Sequence, residues 1–324
     1  MADGLTAEQI AARPFSIGSS DAAAALGLVT QRSPLRVWEE KRLGIELAAL
    51  RALPQDADVP MPIDDQLQMN ALERELRGPD DLSENEAVEL GTLLEDDVAE
   101  LFERRTGKRL FRVNNTIVHP RLPFMTCNID RRVVGEPKLA EIKTAGFWAA
   151  RSDDWGEVGT DAVPFKYAVQ VQHQLACLPQ YESGYVPLLV AGQNFRLYEV
   201  QRDAEIIGML EAYLTAFWQS VIDGVPPTPT TLAQAQERWP KSVGRSILAT
   251  DDIVRMLGEL KETTAARLYH EKEEKRLKGE VAIFMEDADT LMSPDGSTEI
   301  ATYKLQERAG YVAKATSFRV LRTK

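Results

Sequence analysis

A mixed α/β fold, with a central sheet flanked by helices, is the class this sequence predicts, and three observations predict it. Helical and strand periodicities alternate from the first tens of residues to about residue 222, in the order helix, three strands, helix, two strands, helix. Several segments open on a capping serine or a first-turn proline and close on a glycine. With 324 residues, 44% hydrophobic and 27% charged, the chain can bury one large core and still carry an appendage.

The elements follow in order. "SIGSSDAAAALGL" reads as a short helix with Ser19 or Ser20 as N-cap and Gly27 just past its end. In "SPLRVWEEKRLG", Ser33 caps, Pro34 takes the first turn and Gly44 stops the helix. Residues 45–85 hold prolines, acids and little periodicity, which predicts an inserted, partly mobile excursion. "ENEAVELGTLLEDDVAELFERRTG" restores a helical stripe through Leu90, Leu94, Val98 and Leu101, and Gly107 ends it. Three strand-like runs come next, "RLFRVNNTIVH", "FMTCNIDRRVVG" and "KLAEIKTA", the last two joined by a turn at Gly135 to Pro137. "PFKYAVQVQHQLACL" is a helix opened by Pro164, with Ala168, Val171, Leu175 and Leu178 as its buried stripe. "YVPLLVAGQNFRLYEV" is a hairpin turning at Gly192 to Asn194. "DAEIIGMLEAYLTAFWQSVIDG" is an amphipathic helix through Ile206, Leu210, Phe217 and Val221.

"GVPPTPTT" is a linker, so residues 1–224 are expected to form the main domain and 225–324 an appendage. The appendage holds a long, mostly polar helix of roughly 50 Å, followed by a strand pair, "TEIATYKLQE" and "YVAKATSFRVLR". A helix that polar all round needs a partner or a second domain to pack on.

Bulk properties exclude several classes. No apolar stretch approaches the roughly 20 residues needed to cross a bilayer, so no membrane partner is expected. "MADGLTAEQIAARPF" has no basic region followed by an apolar core and is no secretory signal. Cys127 and Cys177 are the two cysteines, which suits reduced, cytosolic residues and excludes a four-cysteine cluster. The formal charge of −12 opposes a nucleic-acid partner until its distribution is read. Asp56 to Glu100 carries 15 acidic and 2 basic residues, whereas Arg104 to Arg132 carries 8 basic and 1 acidic. Local sign decides where a polyanion docks, although a charge run is usually a solvated face.

Chemistry concentrates in "LAEIKTA". Alternate strand residues share a face, so Glu141 and Lys143 project together while Ala140 and Ile142 project the other way. On this spacing alone a surface ion pair at a strand end is the plainer explanation, because an acid and a lysine two residues apart are common by chance. Asp130, in "CNIDRRVV", is folded beside Glu141 by the intervening turn, and two carboxylates on adjacent strands can share a hard divalent cation such as Mg²⁺. Such a cation polarises a phosphate oxygen and acidifies a water, with Lys143 stabilising charge or orienting that water. Ile142 would anchor the strand in the core.

These residues resemble the PD-(D/E)xK nuclease superfamily, with "NID" in place of the Pro-Asp dipeptide. They resemble in particular the family of lambda exonuclease and the YqaJ-type phage recombinase nucleases. Four blocks carry the resemblance in order: "RPFSIGSSDAAAALG", "GTLLEDDVAELFERRTGK", "PFMTCNIDRRV…LAEIKTA" and "YAVQVQHQLA". It covers about residues 13 to 180; the 45–85 excursion and everything after about residue 225 have no counterpart in the compact lambda enzyme.

The resemblance implies a restriction-endonuclease-like core and a catalytic trio of Asp130, Glu141 and Lys143. It implies Glu95 as a further active-site acid near a second metal, and Gln170 as a residue that positions water or lysine. Without it, Glu95 is equally one more exposed acid on an acidic helix. Gln172 is about 200° around the helix from Gln170 and should point elsewhere, and His173 reads as structural. Arg13 and Ser20, with Ser19 beside them, would hold a terminal 5′-phosphate, supported by the anion preference of a helix start; a plain capping role for Ser20 is the alternative. Trp148 and Trp155 could stack on an unpaired base, although loop tryptophans more often pack.

The implied function is a Mg²⁺-dependent 5′-to-3′ exonuclease on double-stranded DNA ends, with Mn²⁺ as an alternative ion. The implied setting is the cytoplasm of a bacterial host, as a phage or prophage recombination protein with a single-strand annealing protein as partner. The lambda enzyme is a ring of three subunits, so a homo-oligomer, a trimer, is expected, with Arg104 to Arg132 lining its channel. Two alternatives remain open: a structure-specific endonuclease or nickase with the same site, and a non-catalytic DNA-binding scaffold that recruits recombination partners.

Overall fold

The computed structural model describes residues 13–52, 62–76, 86–151 and 154–306. They fall into two compact units, Met1–Thr230 and Thr231–Lys324.

In the first unit α1 (Ser19–Ala25) follows a single turn of 3-10 helix at Arg13–Phe15. Its N-cap is Gly18 and not a serine: the Asp21 carboxylate reaches back to accept the Gly18 N–H at 3.0 Å, so Ser19 and Ser20 occupy the first helical turn. In α2 (Pro34–Arg51) the Ser33 hydroxyl accepts from the Arg36 N–H, as the serine–proline start requires. Gly44 does not stop this helix. It is buried mid-helix, where a Cβ would stand 2.4 Å from the Pro14 carbonyl oxygen, so the glycine serves close packing and not termination. The 45–85 excursion is therefore partly regular: residues 45–51 complete α2, and α3 (Ile63–Leu76) packs on α2 with Leu72 buried. Its other residues, 53–61 and 77–85, lie outside the described ones.

Helix α4 (Glu86–Thr106) ends at Gly107, as its sequence predicts. Each of the three following strand runs is divided in two: β1 (Leu110–Arg112) and β2 (Ile117–Val118), β3 (Thr126–Cys127) and β4 (Arg131–Val133), β5 (Lys138–Ala140) and β6 (Lys143–Ala145). Helix α5 (Phe165–Cys177), the hairpin of β7 (Ser183–Val190) and β8 (Asn194–Gln201), and α6 (Ala204–Ile222) complete the order. The six-stranded sheet is mixed. β1–β4, β4–β5 and β7–β8 pair antiparallel, while β5 and β6 both run parallel to β7. β2 and β3 form a separate small pair, to which Ile17 adds a parallel bridge at Met125.

β7 is buried along all eight residues because helices cover both faces of the sheet. Its alternate residues Val186, Leu188 and Val190 join Val171 and Leu175 of α5, Leu214 and Phe217 of α6, and the alanines of α1 in the main core. Tyr185 and Leu189 point the other way, onto the Val98, Ala99 and Phe102 ridge of α4. Gly184 lets α5 lie close: a Cβ there would stand 2.6 Å from Val171 and 2.9 Å from Leu139. Two stripes shift slightly from expectation, with Val169 buried where Ala168 is half-buried and Ile207 buried where Ile206 is half-buried.

The second unit contains α7 (Leu232–Arg238), α8 (Asp251–Met285) and a hairpin of β9 (Thr290–Met292) and β10 (Glu299–Thr302). α8 is polar and exposed along its length, with Met285 buried at its end. "TEIATYKLQE" does supply a strand, but it pairs with residues 290–292 immediately before it; "YVAKATSFRVLR" lies outside the described residues. Among the described residues, no helix is long and apolar enough to cross a membrane.

Candidate active site

The site is built where a strand loses its ladder. β5 and β6 keep one register against β7, Lys138 beside Ser183 and Lys143 beside Leu188, so they are two halves of a single strand interrupted at Glu141 and Ile142. The Glu141 N–H still reaches the Tyr185 carbonyl at 2.9 Å. In that register the Glu141 carbonyl would take the N–H of residue 187, which is proline and has none. On the other side, β4 pairs antiparallel with Arg131 opposite Ala140, which sets Asp130 opposite Glu141. There the Asp130 carboxylate accepts the Ile142 N–H at 2.7 Å. Ile142 itself is buried against Val98, Ala99 and Leu189.

Glu141 is buried, and its carboxylate accepts from three side chains. Lys143 Nζ lies 2.5 Å and Gln170 Nε2 2.6 Å from Oε1, and Gln174 Nε2 lies 2.6 Å from Oε2. Burial and then the facing Glu141 push Asp130 well above the usual carboxylate range, against the opposing pull of Lys143. Burial alone would lower Lys143, but Glu141 and Asp130 outweigh it, and the side chain stays an ammonium. The structure thus brings Asp130, Glu141, Lys143 and Gln170 together. Gln174 was missed by sequence reasoning; its signal is the Gln170–Gln174 spacing of four, which puts both amides on one helix face.

Glu95 is placed differently. Its carboxylate rests on the Arg131 guanidinium at 2.5 Å, with Arg112 at 3.5 Å, and it does not line the cavity over Asp130 and Glu141. It remains near enough to raise the proton affinity of Asp130 further.

A cavity of about 220 Å³ opens over the carboxylates. Asp130, Glu141 and Gln170 line it together with Arg13, Ser19, Ser20 and Asp21. Ser16, Thr116, Thr126 and Asn128, none of them singled out from sequence, complete a wall rich in hydroxyl and amide groups. Ser16 and Thr126 hydroxyls meet at 2.8 Å, and Thr116 donates to the Asn128 amide oxygen at 2.9 Å. Arg13 and Ser20 are exposed, whereas Ser19 is buried with its hydroxyl 3.1 Å from His173 Nδ1. α1 has only seven residues and Asp21 already occupies the Gly18 N–H, so the helix start offers no free anion site, and the groups that could meet an anion here are the Arg13 guanidinium and the hydroxyls.

His173 is structural: fully buried, it is depressed to about 4 chiefly by that burial. Gln172 points away, donating to the Gln201 carbonyl and accepting the Asp203 N–H. Trp155 packs between Tyr167 and Tyr198, whereas Trp148 is 79% exposed.

As a metal site the donor set is oxygen only. Among the described residues no three carboxylate, histidine or cysteine side chains converge into a ready cage. Two facing carboxylates do fit an ion such as Mg²⁺, which is commonly bound through one or two carboxylates plus waters and substrate phosphates.

The model of the YqaJ-like viral recombinase domain matches residues 9–185. The chain is 30% identical over 232 residues to the uncharacterized protein YqaJ of Bacillus subtilis (strain 168), a match covering 71% of this chain and 61% of that one. Among solved structures it is similar to an alkaline exonuclease from Laribacter hongkongensis, with 17% identity, a TM-score of 0.45, and 68% of this chain and 94% of that one covered. It is also similar to a phage-related exonuclease from Haemophilus somnus 129PT, with 16% identity, a TM-score of 0.35, and 54% and 92% covered. The family match spans more than half of the chain and contains Asp130, Glu141, Lys143 and every residue of the cavity wall, so this protein belongs to the YqaJ-like viral recombinase domain family.

Proposed function

We propose that this chain is a Mg²⁺-dependent deoxyribonuclease that digests double-stranded DNA from its ends in the 5′-to-3′ direction. The observation that carries the reading is one cavity lined at once by the Asp130–Glu141 pair and by Arg13, Ser19 and Ser20. A duplex end whose 5′-phosphate meets the Arg13 side would lay a neighbouring phosphodiester over the carboxylates.

Asp130 and Glu141 would hold the cation. Mg²⁺, or Mn²⁺ on the same oxygen donors, supplies Lewis acidity at a phosphoryl oxygen and lowers the pKa of a water when bound. Gln170 and Gln174 fix the Glu141 carboxylate from the helix side, so its orientation is set before substrate arrives. Lys143 is held on Glu141 at the edge of the carboxylate pair, outside the cavity lining, and its ammonium would stabilise negative charge developing on a phosphoryl oxygen nearby. Glu95 would approach a second cation by leaving Arg131. Arg13 offers a planar fork that matches a phosphate bidentately. Family membership supports a recombination setting in a phage-carrying bacterial cytoplasm, where a single-strand annealing protein would take up the exposed strand.

The test is digestion of linear duplexes labelled at the 5′ or the 3′ end, beside closed circles, with Mg²⁺ and with chelator. Loss of 5′ label first, spared circles and a chelator block are expected. Cut circles would make the protein an endonuclease or nickase, and no cleavage with either Mg²⁺ or Mn²⁺ would leave a DNA-binding scaffold.

A further inference from the structure

Lys41 has no exposed surface, yet it lies mid-way along α2 among residues that an apolar side chain would suit. Its ammonium donates to the Arg13 carbonyl at 2.7 Å, meets Asp21 Oδ2 at 2.7 Å and reaches Glu40 Oε1 at 3.1 Å. Arg32 bonds both Asp21 and Glu40 from the other side. Two of these partners belong to the cavity wall, since Arg13 and Asp21 both line it, while Lys41 itself does not. Burying an ammonium is costly, and a well-packed apolar residue at such a place is often neutral or better for stability. Leu35, Val37 and Leu47 already anchor α2 in the core.

Two things follow from the charge that an apolar side chain would not provide. From a position 28 residues further along the chain than Arg13, the ammonium ties the Arg13 backbone to Asp21 in the first turn of α1, which also carries Ser19 and Ser20. It also cancels Asp21, a carboxylate in the wall of a cavity read here as an anion site; Lys41, Arg32 and Arg13 together outweigh the effect of burial and hold that carboxyl far below its usual range.

We infer that Lys41 is a positioning residue for the terminal-phosphate end of the cavity, setting the Arg13 guanidinium against the α1 hydroxyls and masking Asp21 from the incoming phosphate. The inference rests on the functional reading above and deepens it. It assigns the preference for a 5′-phosphorylated end partly to a residue that never touches DNA.

The experiment compares Lys41→Met with wild type on duplexes that end in 5′-phosphate or 5′-hydroxyl, measuring KM and kcat for each and thermal melting in parallel. For phosphorylated ends KM is expected to rise about tenfold, equivalent to one ordinary charged contact, while KM for hydroxyl ends and both kcat values stay near wild type. If Lys41→Met does not fold, the double variant Lys41→Met/Asp21→Asn removes both buried charges and keeps an acceptor for the Gly18 N–H. It too is expected to lose phosphate preference, because the tether to Arg13 is gone. A folded variant of either kind with unchanged preference, whatever its melting temperature, overturns the inference, as does an equal rise in KM for both ends. Arg13→Ala is the control. Preference lost there but kept in Lys41→Met overturns the role of Lys41 alone, and preference kept in Arg13→Ala overturns the phosphate site beneath it.

Discussion

Glu141 accepts from Lys143, Gln170 and Gln174, and Asp130 accepts from the backbone beside it, so four groups act through one pair of carboxylates. Asp130→Ala, Glu141→Ala and Lys143→Ala are each expected to cut cleavage by at least about a hundredfold while DNA binding survives, because charge-stabilising groups of one unit fail together. Substantial Mg²⁺-dependent turnover in any two of them, measured on labelled duplex, would remove the assigned site. His173 carries a second expectation, about stability. Its folded value of about 4 lies below the ordinary 6.5, so the unfolded chain binds the proton first as pH falls. Stability from this group is complete above pH 6.5 and is lost as pH drops towards about 4, to a total of about 3 kcal/mol. Asp21 eases the protonation and His119 opposes it. Urea unfolding at stepped pH should show this decline in wild type and a shallower one in His173→Gln; identical slopes would place the titration elsewhere. At this scale the juxtaposition of Asp130, Glu141 and Lys143 was legible because a turn between adjacent strands sets residues 130 and 141 opposite one another and alternate strand residues share a face. Gln174 and the Arg131–Glu95 pair were not, because which amide or guanidinium meets a carboxylate depends on how α5 and α4 settle against the sheet.

Helix starts were legible where chemistry is local, as at Ser33–Pro34, and helix ends were legible at Gly107, whose φ of +71° favours glycine. Gly44 was misread for a physical reason. A glycine that ends a helix and one that admits a neighbouring backbone look alike until Pro14 is placed against it. Gly44→Ala sets two effects against each other: alanine gains about 1 kcal/mol of helix propensity, while a Cβ 2.4 Å from the Pro14 oxygen costs about 1–3 kcal/mol of strain. A net loss of stability is expected, read as a lower urea midpoint at constant slope; a higher midpoint would mean that the Pro14 turn yields freely. The strand interruptions were not legible either. The break at Glu141 depends on Pro187, 46 residues further on, and on a register that exists only after β7 has paired.

For the molecule as a whole, sequence overstated the free positive charge. Among the described residues, five of the eight basic side chains between Arg104 and Arg132 already meet a carboxylate: Arg104, Lys108, Arg112, Arg121 and Arg131. Arg132 instead lies over the Phe111 ring. Few cations of that stretch therefore remain to hold a polyanion. We propose a homo-oligomer, a ring of three copies in which the remaining cations of each subunit act together, with affinity that falls steeply with salt. Light scattering at working concentration should give the mass of three chains; a monomer that still digests long duplexes without release would defeat the ring. We propose that α8, exposed along its length and carrying apolar side chains such as Leu260, Leu268 and Phe284 at its surface, recruits a further protein such as the annealing partner.

β7 also has a consequence in time. The residues read here as catalytic and substrate-binding, from Arg13 to Gln174, leave the ribosome before the strand that pairs with both halves of the Glu141 strand. A nascent chain that has not yet made residues 183–190 carries the full set of side chains but no ladder for Glu141 and no partner for Lys143's strand. Synthesis order thus leaves the carboxylate pair without its parallel ladder until residues 183–190 have been made.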